Sequence, residues 1–126
     1  MHALIPNKEA VRAGDLVFFG GVLSWDENGT LKYPYNVEQQ TEAILRRIEG
    51  YLKTEELGLE HLVYVTVYLT DIRHYDTMNR AYRRVMKDPL PPRKVVTGPL
   101  TVTGALVEMT AVASVHPRQI LTLTRS

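Results

Sequence analysis

Apolar residues in this chain recur with two different periods, and the change from one to the other marks out the elements. Leu16-Val17-Phe18-Phe19 is a compact apolar run closed by Gly20-Gly21. It predicts a buried strand that ends in close backbone contact. Asn28-Gly29 inside Asp26-Glu27-Asn28-Gly29 signals a short hairpin, because both residues accept the positive φ of a type I′ turn. Asn36 then caps a helix, with Gln39 placed to reciprocate. Thr41, Ile44, Leu45, Ile48 and Leu52 form its apolar stripe, and Glu42 with Arg46 and Glu49 with Lys53 stand at i,i+4. Gly58 is read as its C-terminal stop.

The period then returns to two. Leu62 to Leu69 predicts a strand with Val63, Val65, Val67 and Leu69 on one face and Tyr64, Thr66 and Tyr68 on the other. The aliphatic face should lie under helices. The aromatic-hydroxyl face is too apolar for plain solvent exposure and is a candidate partner surface. Asp71 caps a second helix with the stripe Tyr75, Met78, Tyr82, Val85 and Met86. Two more strands follow, Pro91 to Val96 and Leu106 to Ala113, separated by Gly98-Pro99 and Gly104. The order strand, hairpin strand, helix, strand, helix, strand, strand describes an α+β fold, with a mostly antiparallel sheet and both helices packed on one face. At 126 residues without internal repeats, residues 1–126 are expected to form a single domain.

Composition removes most catalytic classes. No cysteine is present, so disulfides, thiolate nucleophiles and Cys-bearing metal sites are excluded. His2, His61, His74 and His116 are scattered without ligand spacing. Serine occurs only at Ser24, Ser114 and Ser126, none in a Gly-x-Ser-x-Gly elbow. Gly20-Gly21 is no phosphate loop, because no Gly-Lys-Ser/Thr follows it. A net charge of +1 gives no global case for nucleic acid, and Arg46-Arg47 and Arg83-Arg84 read as solvated helix faces. No apolar stretch approaches the ~20 residues of a membrane helix. The opening residues Met1 to Pro6 lack a secretory pattern, so a cytoplasmic protein is expected.

What remains is a pair of charges set into the two C-terminal strands. Arg93 stands at the mouth of the first and Glu108 within the second, where the two can face one cleft. They would offer a fork for a carboxylate and a base for a water. The bland alternatives are an Arg that pairs with a neighbouring acid and a solvent-facing strand Glu. Asn79 is the polar residue beside the second helix's stripe, available for a structural hydrogen bond or a ligand contact.

The stretch from Pro91-Pro92-Arg93 through Glu108 to Ala113 resembles the closing signature of the RidA/YjgF/UK114 family, with Arg93 and Glu108 at the family's spacing of fifteen. Gly20-Gly21 is similar to the family's Ser-Gly element, the run Leu62 to Ile72 to its central strand, and Asn79-Arg80-Ala81-Tyr82 to its Asn-x-x-Tyr motif. The resemblance covers Leu16 to Ala113. It implies a homotrimer in a chorismate mutase-like barrel assembly, with ligand clefts between neighbouring subunits. It also implies hydrolytic deamination of reactive enamine/imine intermediates, 2-imino acids, to 2-keto acids and ammonia. Arg93 would grip the small-molecule substrate's carboxylate and Glu108 would orient or deprotonate the attacking water. Gly20 and Gly21 would line the cleft, with a backbone N–H near Gly21 on the substrate. Val95 would contribute through its backbone carbonyl, and Asn79 is carried over as a substrate contact. No metal and no cofactor enters this scheme. The chain departs from the pattern at three positions: Gly20 replaces the family's Ser, Val95 its Cys, and Asn7 a Tyr that covers the cleft. These departures imply a more open cleft. The alternatives are a trimer that binds 2-keto acids without turnover and, against the near-neutral charge, an endoribonuclease.

Overall fold

The computed structural model describes residues 8–124. Five strands and two α-helices alternate as β1 (Ala10–Ala13), β2 (Leu16–Val22), α1 (Val37–Thr54), β3 (Leu62–Leu69), α2 (Tyr75–Val85), β4 (Arg93–Thr97) and β5 (Val107–Ser114). The strands form one sheet in the order β1-β2-β5-β3-β4. Every neighbouring pair is antiparallel except β3 and β4, which run parallel because α2 carries the chain back to the start of the sheet. The α+β architecture is the expected one. No helix of the described residues is long and apolar enough to cross a membrane.

Both helices cover one face of the sheet. Ile44, Leu45, Ile48 and Leu52 of α1 and Met78 and Tyr82 of α2 pack onto Val17, Phe19, Val65, Val67, Leu69, Val107, Met109 and Ala111. Asn36 caps α1 as expected, its Oδ1 accepting from Gln39 N at 2.9 Å. The anticipated i,i+4 pairs give way to others. Arg46 reaches Glu49 at 3.1 Å, while Glu38 and Glu42 face Arg84 of α2 at 2.8 and 3.9 Å. The adjoining helix thus offers Glu42 a cation from outside its own surface. Behind α1, the buried Glu9 carboxylate accepts from Arg47 and from the Tyr51 hydroxyl, each at 2.7 Å. This network ties the chain entering β1 to the helix.

Further sequence expectations change. The short strand β1 was not anticipated, since four residues before Gly14 carry too little alternation to signal an edge strand. The Asn28-Gly29 hairpin shrinks to an isolated Trp25–Leu31 bridge. Its turn is not type I′: Gly29 has φ +78° but Asn28 has no positive φ, because Asp26 Oδ1 accepts from Asn28 N and Thr30 N and holds a different turn. Gly58 does not stop α1. The helix ends at Thr54, Glu56 takes the left-handed conformation (φ +60°), and Gly58 introduces a short 3₁₀ turn. Asp71 does cap, through Arg73 N at 2.8 Å, but what it starts is a 3₁₀ turn, Ile72–His74, leading into α2.

No helix of the described residues lies over the sheet's second face. Across four strands it carries Val11, Phe18, Val112 and Tyr64 side by side in register. Val11, Phe18 and Tyr64 are 59%, 41% and 40% exposed, far from the burial their size calls for. Tyr68 and Thr66 lie on the same face, as the alternation required. Val63 leaves the aliphatic face expected for it, because the β3–β5 register shifts between Leu62 and Tyr64, and Leu62 is buried in the core instead.

Candidate functional site

The glycine pair of β2 builds one half of the site. The β2–β5 register shifts between Phe19 and Val22, so Gly20-Gly21 forms a bulge facing β5. Gly21 has φ +58°, and a Cβ there would come within 3.0 Å of Glu108 Oε2. Glycine therefore suits both the left-handed backbone and the carboxylate beside it. At Gly20 a Cβ would meet nothing within 4 Å among the described residues. Glu108 pairs with Tyr68 on β3, which pairs in turn with Val96 on β4, and all three stand on the helix-free face. The Glu108 carboxyl is half-buried and its pKa is raised by desolvation. The ion pairs among the described residues all involve other groups.

Arg93 builds the other half. It is the first residue of β4, an edge strand, and pairs with Val65, whose side chain points into the core. Arg93 consequently leans toward α2. Its guanidinium carbon lies 4.6 Å from the centroid of the Tyr82 ring and 5.8 Å from that of Tyr75. Its Nη2 donates to Tyr75 Oη at 3.1 Å. Just upstream, Arg118 donates to the backbone carbonyls of Leu62 and Pro89, which pins the loop leading to Arg93. Val95 also leans inward, paired with Val67. Val65 N donates to Pro92 O and Gly98 N to Leu69 O, so the even-numbered residues of β4 direct their backbone groups at β3. The Val95 N–H and carbonyl thus face the open edge. Asn79 is half-buried on α2, one residue after Met78.

The expected meeting of Arg93 and Glu108 in one cleft does not occur within a single chain. Strand β3 lies between β4 and β5, and the register places the two residues on opposite faces of the sheet. Gly21 and Glu108 come together, as do Arg93, Tyr75 and Tyr82. Asn7 lies outside the described residues. Tyr75 and Tyr82 were read as core stripe, and Tyr82 is indeed 1% exposed. The sequence sign of a second role was the use of Tyr where Phe would pack equally well. Among the described residues no group of three or more His, Cys, Asp or Glu could hold a metal ion.

Fold and site residues together define a small α+β domain that presents a guanidinium at one sheet edge and a desolvated carboxyl on a sheet face without a helix over it. The family model described as Endoribonuclease L-PSP matches residues 1–115. This chain belongs to that family, the RidA/YjgF family. It is 30% identical over 112 residues to the mitochondrial protein mmf2 of Schizosaccharomyces pombe, covering 86% of this chain and 87% of the relative. It is 29% identical over 112 residues to the chloroplastic Reactive Intermediate Deaminase A of Arabidopsis thaliana, covering 89% of this chain and 60% of the relative. In fold it matches the crystal structure of RidA from the Antarctic bacterium Psychrobacter sp., with a TM-score of 0.80 at 23% identity over 90% of this chain and 92% of that one. The family thus includes a reactive intermediate deaminase.

Proposed function

We propose that this chain forms a homotrimer through its uncovered sheet face, and that the clefts between copies hydrolyse 2-imino acids to 2-keto acids and ammonia. The observation that carries the proposal is the division of the site. Each chain holds Arg93 on one side of its sheet and Glu108 beside Gly21 on the other, so a guanidinium and a carboxylate can converge only across an interface. Phe18, Val112 and Tyr64 supply the apolar surface such an interface needs.

In this reaction Arg93 receives the substrate carboxylate in a two-point fork, which a lysine cannot reproduce. The Val95 carbonyl and the Gly21 N–H hold the imine end. Water attacks the imine carbon while Glu108 accepts one of its protons. That proton passes to nitrogen to give the carbinolamine; its hydroxyl proton then moves through Glu108 to the same nitrogen, the C–N bond breaks as the C=O forms, and ammonia leaves with the 2-keto acid. Burial suits Glu108 to this role, since a carboxyl with a raised pKa is a stronger base than an exposed one.

The test is ammonia and keto acid release from imines generated in situ by an amino acid oxidase. Wild type should accelerate imine loss over the spontaneous rate. Arg93→Ala should abolish the acceleration, and Glu108→Gln should lower it by about 10²-fold or more. Unchanged release with Arg93→Ala would overturn the mechanism. A second reading, 2-keto acid binding without turnover, draws on Gly20, which offers no hydroxyl to the cleft. Calorimetric binding of 2-oxobutyrate with no acceleration of any imine would favour it.

A further inference from the structure

We infer that Tyr75 is a positioning residue that fixes the angle of the Arg93 fork, and that the site's selectivity for a carboxylate depends on it. The inference rests on the reading of Arg93 as the carboxylate grip. An arginine at the start of an edge strand has much rotamer freedom to lose when it binds. A fork already held in place loses less of it on each encounter.

Two contacts hold this fork, and they restrain different motions. The Tyr82 ring, 4.6 Å from the guanidinium carbon, fixes its height and tilt. A cation over a ring face can still turn within its own plane. The Tyr75 hydroxyl, accepting from Nη2 at 3.1 Å, is directional and stops that turn. It occupies one of five N–H donors and leaves four for a ligand. Because a neutral hydroxyl carries no charge, it restrains the guanidinium without cancelling the attraction a carboxylate would feel.

The placement of Tyr75 is itself rigid. It is the first residue of α2, entered directly from the turn capped by Asp71, and Tyr82 lies seven residues on, two turns along the same face. The two hydroxyls have different fates. Tyr82 Oη is buried without a hydrogen-bond partner among the described residues, whereas Tyr75 Oη spends its acceptor on Arg93. Packing alone would be served by phenylalanine at position 75.

Tyr75→Phe keeps the ring and removes one oxygen from a half-buried position. Calorimetry should show binding of 2-oxobutyrate weakened about tenfold, with binding of its uncharged amide unchanged. In turnover the loss should fall on KM, with kcat within about twofold. In an Arg93→Ala background Tyr75→Phe should add nothing, since the two residues act as one unit. Equal losses for keto acid and amide would mean a merely structural tyrosine and would overturn the inference. So would wild-type affinity in Tyr75→Phe while Arg93→Ala binds weakly, an outcome that leaves the carboxylate reading standing. Wild-type affinity in Arg93→Ala would overturn both.

Discussion

Glu108 stands half-buried beside the Gly21 bulge, and among the described residues no cation forms an ion pair with it to compensate the loss of water. Desolvation raises its pKa, so the folded state holds the proton more tightly than the unfolded chain does. For a carboxyl shifted this way, stability is highest below the unfolded value and declines as pH rises through the folded one. Glutamine has no charge to desolvate. Glu108→Gln should therefore melt above wild type at about pH 7.5, and the gap should close at about pH 4, where both side chains are neutral. Parallel melting curves across that range would show that burial imposes no such cost. At this scale Arg93 and Glu108 were legible in the sequence because charged residues inside apolar strands stand out. Tyr75 was not, because a stripe residue that packs and one that also donates or accepts look identical in a helical pattern.

Gln40 shows what one residue does for a whole element. It is fully buried in α1, where it donates to Tyr33 O and Gly104 O at 2.8 Å each and accepts from Leu106 N at 2.9 Å. The helix thereby fixes both the turn that precedes it and the segment that delivers Glu108 into β5. Gly104, at φ +88° and with Pro34 only 2.9 Å from where its Cβ would be, closes that junction. Gln40→Leu preserves bulk but leaves the Leu106 N–H without a partner and takes one of two hydrogen bonds from Tyr33 O and Gly104 O, which keep those from Asn36 N and Tyr35 N, and should cost about 2 kcal/mol. Urea unfolding measures it; a loss under about 1 kcal/mol would mean that water replaces the amide. The helices were legible from their stripes because a 3.6-residue period is a local property. Gln40 escaped notice because its partners lie in distant parts of the chain. The Asn28-Gly29 turn was mistyped for a related reason, since the side chain of Asp26 outcompeted the dipeptide's own preference.

For the whole molecule the decisive surface is the helix-free sheet face. Phe18 sits in the middle of its apolar row, flanked by Val11 and Val112, and is exposed in the isolated chain. A charge placed there leaves the subunit's own core intact but must be desolvated in any assembly that covers the row. Phe18→Asp should shift sedimentation from the trimer expected of wild type to a monomer that melts cooperatively, and should abolish imine hydrolysis with it. A monomeric wild type, or a trimeric variant, would remove the assembly on which the divided site depends.

Periodicity, capping and turn chemistry act over a few residues, and so the sequence alone determined the two helices, the strands β2 to β5 and, Val63 apart, which side of each is apolar. It also set the spacing of Arg93 and Glu108. The order β1-β2-β5-β3-β4 and the parallel course of β4 were decided by tertiary packing. So was the separation of those two charges onto opposite faces. A strand's register against its neighbour fixes which way each side chain points, and a shift of one residue reverses it. No local pattern carries that parity, because it is set by partners that the chain meets only after folding.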